Sequence, residues 1–221
     1  MSVLIYRDTE SVGTCAAMLI ASHLITDPRC VIGVDYHESL LPTFRALSEM
    51  TEHGLLSWDS AKIYQLFEFI PTENAEQRIT KLLGKALFAK TDISEKQYVV
   101  PFSVEFTPEK TAEAFERSVL ADGGLDVALL AVRQDGSLLM DRTVDCDPAS
   151  HKVTADGDGF VTAGLAMLMQ TKHPIVVATG KAFSKTVKCM LSGNLTDSPL
   201  AALRLHPGAT FILDEEAAEL L

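Results

Sequence analysis

Leu125-Asp-Val-Ala-Leu-Leu-Ala-Val132, followed directly by Arg133-Gln-Asp-Gly-Ser137, is the stretch that decides the fold. A short apolar run that stops at a tight turn reads as a strand buried on both faces, with Asp135-Gly136 supplying the turn. Further β-branched, apolar runs stand at residues 3–6, 30–35, 62–69, 97–101, 174–178 and 209–213, and stretches of helical period alternate with them. That alternation predicts one α/β domain with a mostly parallel sheet and helices on both faces. Ligands of open α/β sheets sit beyond the carboxyl ends of the strands, so the informative residues should follow Asp35, Phe69, Val132 and Ala178.

Between the first two runs, Val12, Ala16, Leu19, Ile20 and Leu24 share one helical face, and Asp8 stands where a cap is needed. Asn74 with Gln77 reads as a capping box, Thr107 with Pro108 as N-cap and first helical position, and Gly54 and Gly123 as helix stops. Residues 143–159 are polar and rich in Asp and Gly, which predicts a long surface loop. Within them Asp156-Gly-Asp-Gly159 lacks the carboxylate spacing of a calcium loop and reads as a turn.

A chain of 221 residues, 47% hydrophobic, can bury a large single core. Its formal charge of -11 and pI near 4.9 come from scattered acids and argue against nucleic acid as a partner. An anionic ligand must then be held by local cations or backbone N–H groups, because the overall field opposes it. Cys15, Cys30, Cys146 and Cys189 show no metal-ligand spacing; Cys15, Cys30 and Cys189 sit in apolar runs and are expected to be reduced core residues. No signal-peptide pattern and no membrane-length apolar segment occurs, which excludes a membrane partner and makes the expected location cytoplasmic by default.

Residues 200–218, Leu-Ala-Ala-Leu-Arg-Leu-His-Pro-Gly-Ala-Thr-Phe-Ile-Leu-Asp-Glu-Glu-Ala-Ala, resemble the C-terminal signature of the glucosamine-6-phosphate deaminase and 6-phosphogluconolactonase family. The preceding order is similar: a strand and loop at 32–42, a helix at 43–53, and residues 55–59 leading into a strand that ends Phe67-Glu68-Phe69. Residues 130–140 resemble the family's LGxGxDGHxAF segment, 162–170 its helix before the sixth strand, and 180–193 its glycine-bounded helix. The resemblance implies a Rossmann-like sheet and a sugar 6-phosphate or related anion as ligand. No cofactor or metal is expected, and an oligomer is left open.

Departures from the family pattern fall on its working residues. The small-residue phosphate loop after the second strand is replaced by His37, Glu38, Ser39 and Leu40, whose bulk and carboxylate oppose an anion. A phosphate-contacting lysine aligns with Phe183, although Lys181 and Lys185 lie close by. The deaminase Asp-Glu-Tyr motif reads Phe67-Glu68-Phe69, so its base is missing, and the acid/base histidine of Asp-Gly-His is Ser137. Serine has no usable pKa near neutrality and cannot replace imidazole without a strong neighbouring base.

The surviving catalytic candidates are therefore Asp135, Glu68 and Ser137, and the ligand-binding candidates His37, Glu38, Ser39, Arg133, Arg142 and Lys181. Each has a plainer reading. Asp135 could simply form its turn, and Glu68 should point away from the face of Phe67 and Phe69. Arg133 and Arg142 could clamp an anion or be solvated. Asp35, His37 and Glu38 could form an acid/base or metal cluster or an exposed loop, and His206 reads as structural. Two functions follow from the resemblance and its departures. One is a divergent family member acting on or binding a sugar phosphate in carbohydrate metabolism, its standard catalysis weakened or lost. The other is a non-enzymatic interaction protein that keeps the fold as a scaffold.

Overall fold

The computed structural model describes residues 1–69, 78–103, 105–137, 139, 153–156, 160–195 and 198–221. In chain order its elements are β1 (Ser2–Tyr6), α1 (Thr9–Thr26), β2 (Val31–Val34), α2 (Leu41–Glu52), β3 (Lys62–Gln65), β4 (Phe67–Phe69) and α3 (Ile79–Ala86). There follow β5 (Tyr98–Val99), α4 (Pro108–Ala121), β6 (Val127–Ala131), β7 (Val153–Asp156), β8 (Phe160–Ala163) and α5 (Leu165–Gln170). The chain ends with β9 (His173–Ala178), α6 (Ser184–Ser192), α7 (Pro199–Ala202) and β10 (Thr210–Asp214).

Seven strands form one parallel sheet in the order β1-β10-β9-β6-β2-β3-β5, with helices on both faces, as the sequence predicts. Every residue of β2 and β6 is buried, which explains their continuous apolar composition. The chain runs outward from β2 through β3 to β5, then returns to β6 and proceeds the other way through β9 to β10. Strand order reverses between β2 and β6, so a crevice opens beyond their carboxyl ends.

Local signals work as read. The Asp8 carboxylate accepts the Ser11 N–H (2.8 Å) at the start of α1, and Thr107 Oγ1 accepts the Lys110 N–H (3.4 Å) at the start of α4. Gly54 and Gly123 follow α2 and α4 with φ of 69° and 89°. In the C-terminal signature a Cβ on Gly208 would lie 2.3 Å from the Lys172 carbonyl oxygen, so only glycine fits there.

Three expectations need correction. Residues 62–69 are not one strand: the Leu66 N–H donates to Val34 in the large sheet (3.0 Å), while its carbonyl accepts from Ala163 in a second sheet (2.7 Å). That second sheet, β4-β8-β7, is antiparallel. Its β7 lies inside the stretch expected to be a long loop, because 153–156 pairs antiparallel with 160–163, Asp156 opposite Phe160. Cys30 is buried and Cys15 partly so, but Cys189 is exposed on the outer side of α6; all three are free thiols. The expected capping box at Asn74 and Gln77 lies outside the described residues.

Candidate functional site

Loops after β1, β2, β6 and β9 surround a cleft of about 760 Å³ at the switch point. Small-molecule clefts occupy roughly 300–1,000 Å³. Six of the residues singled out from sequence line it: His37, Glu38, Ser39, Arg133, Asp135 and Ser137. Thr9, Gln134, Leu139, Thr179 and Phe183 complete the wall.

The floor is set by an ion pair. Asp35, the first residue past β2, is fully buried, and its Oδ1 lies 2.7 Å from Nη2 of Arg133, whose side chain is 14% exposed. Asp35 Oδ2 accepts the Ala131 N–H (3.0 Å), and the same Arg133 Nη2 donates to the Tyr36 carbonyl (3.2 Å). Burial raises the Asp35 carboxyl above its ordinary value, opposed by the Arg133 guanidinium and the Ala131 N–H. Arg133 Nη1 is buried, with no hydrogen-bond partner among the described residues. This pair was not foreseen: β2 and β6 are distant in sequence, and only their parallel register, Val34 opposite Leu129, brings Asp35 to Arg133.

Above this floor stand two turns. In one, Asp135 Oδ1 accepts both the Ser137 N–H (3.0 Å) and the Ser137 hydroxyl (2.7 Å), and the Gly136 N–H returns to the Arg133 carbonyl (3.0 Å). Gly136 has φ of 76°, which a side chain would strain. In the other, His37 Nδ1 accepts the Ser39 N–H (3.2 Å) and lies 2.9 Å from the Ser39 hydroxyl. Because a backbone N–H can only donate, Nδ1 is bare and the ring proton sits on Nε2. Burial, with the nearby Arg133 charge, pushes the His37 imidazole down to about 4. Its ring meets Phe183 edge-on, centroids 5.9 Å apart.

Two of the sequence candidates lie elsewhere. Glu68 is fully buried under α3, where Oε1 accepts the N–H groups of Phe69 (2.9 Å) and Ile79 (3.1 Å). Its Oε2 accepts the Thr80 N–H (3.0 Å), the Thr80 hydroxyl (2.7 Å) and Gln65 Nε2 (3.1 Å). It supplies the cap that Arg78, at the N-cap position, does not. Lys181 is 73% exposed and turns to Glu219, 2.9 Å away. Arg142 lies outside the described residues. Among those residues no three His, Cys, Asp or Glu side chains converge as metal ligands.

No protein-family model matches the chain. Over 240 residues, covering all of both chains, it is 25% identical to the glucosamine-6-phosphate deaminase of Bacillus pumilus. It is 27% identical over 242 residues to that of Pseudoalteromonas translucida, covering all of this chain and 90% of the relative. A solved monomeric glucosamine-6-phosphate deaminase superposes with a TM-score of 0.90 at 20% identity, each chain fully covered. Over its full length the chain is thus similar in sequence to glucosamine-6-phosphate deaminases and shares their fold. The lactonase branch shares the fold: the 6-phosphogluconolactonase of Trypanosoma brucei gives a TM-score of 0.80 at 17% identity, covering all of this chain and 98% of that one. Within this family frame Thr9 and Thr179 are the lining residues that sequence reading missed. Both follow strand ends, but neither is an ionisable side chain that would mark a site. Among the described residues no helix is long and apolar enough to cross a membrane.

Proposed function

We propose that the protein is a divergent member of this family that holds a sugar or sugar phosphate in the cleft and has lost the family's standard proton-transfer chemistry. The observation that carries the reading is the pairing of Asp135 with Ser137 at 2.7 Å, in the position where the family motif has histidine. A carboxylate can orient an imidazole that takes up and returns protons. Here it orients a hydroxyl that does neither near neutral pH. Glu68, the remaining acid of the deaminase motif, is occupied by five hydrogen bonds within the fold and does not line the cleft. The cleft is nevertheless open, which supports a ligand over a bare scaffold.

Turnover assays on glucosamine 6-phosphate and 6-phosphogluconolactone, run beside binding measurements with sugars and their phosphates, test this reading. The expected result is binding without turnover above background. Turnover on either substrate that disappears in Asp135→Asn would overturn the loss of chemistry, and absence of all sugar binding would overturn the ligand reading.

A further inference from the structure

Resting on that reading, we infer that the sugar this cleft takes carries no phosphate, and that the turn after β2 is what excludes it. The occupant is an unphosphorylated sugar, neutral or bearing an amine.

A phosphate needs free N–H groups or uncommitted cations. At residues 37–41 three of the five backbone donors are already used. The Ser39 N–H goes to His37 Nδ1 (3.2 Å), the Leu40 N–H to the His37 carbonyl (3.0 Å), and the Leu41 N–H to the Glu38 carbonyl. The imidazole occupies the place from which an anion would collect the Ser39 donor, and it is uncharged there. Among the described lining residues Arg133 is the one permanent cation. Its Nη2 is committed to Asp35 and Tyr36, and its Nη1 is sealed in protein, so neither is offered to the cleft. Lys181 is turned to Glu219.

Negative charge stands at the mouth instead. Glu38 is exposed and lines the cleft, so a phosphate entering there meets a like charge. The remaining wall suits hydroxyl groups: Thr9 and Ser137, whose protons go to Asp214 (3.2 Å) and Asp135 (2.7 Å), keep oxygens that accept, Ser39 and Thr179 add further hydroxyls, and Phe183 offers a ring face or edge to the C–H side of a sugar. Carboxylate, hydroxyl and aromatic groups together bind polyols and tolerate an ammonium. They do not neutralise a dianion.

Calorimetric titration with glucose, glucosamine, glucose 6-phosphate, glucosamine 6-phosphate and inorganic phosphate tests the inference. Each free sugar should bind at least about ten-fold more tightly than its 6-phosphate, an order-of-magnitude expectation for one unfavourable charge contact. Inorganic phosphate should give no heat. Binding of the 6-phosphates equal to or tighter than the free sugars overturns the inference while leaving the proposed function standing; binding of none of the sugars overturns both. Glu38→Gln, an isosteric change on an exposed residue, should narrow the gap, and His37→Gly with Glu38→Gly, which frees the Ser39 N–H, should narrow it further. A gap that neither variant alters overturns the role given to this turn.

Discussion

The turns at 37–39 and 135–137 face each other across one cleft and are built on one plan, a side chain that accepts from the N–H and lies near the hydroxyl of a serine two residues on. They differ in the acceptor. A carboxyl oxygen accepts in either protonation state, whereas imidazole Nδ1 accepts only while it is bare. The turn at 135–137 therefore keeps its acceptor whatever the pH, and the turn at 37–39 is closed only while His37 is neutral. Both lean on the same support, since Arg133 begins one turn and its guanidinium reaches Asp35 and Tyr36 at the start of the other. In both turns the polar side chains are directed onto the protein itself.

Removing the shared support should have the largest effect. Arg133→Met leaves the fully buried Asp35 carboxylate without its partner and should cost roughly 3–5 kcal/mol of folding stability in urea titration. Replacing both, as Arg133→Met with Asp35→Leu, should recover most of that loss. A double variant as unstable as the single one would mean that the pair acts through something other than an uncompensated charge. Both turns should loosen together, so sugar binding should fall in the single variant even under conditions where it remains folded.

Glu68→Gln separates a third carboxylate from the cleft. Its amide nitrogen would face donors that now meet an oxygen, and the start of α3 should lose about 2–3 kcal/mol. Sugar affinity should remain within about three-fold of the parent protein, a difference below 1 kcal/mol. A larger loss of affinity with little loss of stability would return Glu68 to the site.

Asp135→Ala should be milder in stability, about 1 kcal/mol, because one partly exposed turn loses its acceptor while Gly136 keeps its backbone bond to Arg133. Asp135→Asn retains an oxygen acceptor and should restore most of that stability. The pair of variants asks whether Asp135 serves only its turn. If it does, the Asn variant binds sugar as the parent does.

What could be read from sequence follows the range of the interactions. Helix α1 with its Asp8 cap, α4 with Thr107-Pro108, and the seven strands of the main sheet depend on neighbours in sequence, and they are legible. So is the place of the site, because Asp135-Gly136 marks a turn at a strand's carboxyl end. The Asp35–Arg133 pair depends on β2 lying beside β6, and no local pattern encodes that. The capping of α3 by Glu68 likewise joins a strand to a helix across the undescribed residues between them. The hairpin of β7 and β8 was hidden because its Asp-Gly-rich connection outweighs two short alternating runs. The Asp35–Arg133 contact and the Glu68 cap are missed because their partners lie in different elements, whereas the hairpin is local and was masked by its composition.

The smallest effect distinguishes the two turns directly. His37 sits at about 4 in the folded protein against an ordinary value of 6.5. Between those values the unfolded chain takes up a proton that the folded one refuses, so the His37 contribution to stability is complete above about pH 6.5 and is lost progressively as pH falls toward about 4. His37→Gln, which cannot titrate, should therefore show a shallower fall in urea midpoint across that window than the parent protein. The ring is partly exposed, so solvent screening keeps the difference small. The sign is the decisive part: if the variant loses stability with acidification as steeply as the parent, His37 is not the group held neutral, and the turn at 37–39 is not closed by a bare imidazole.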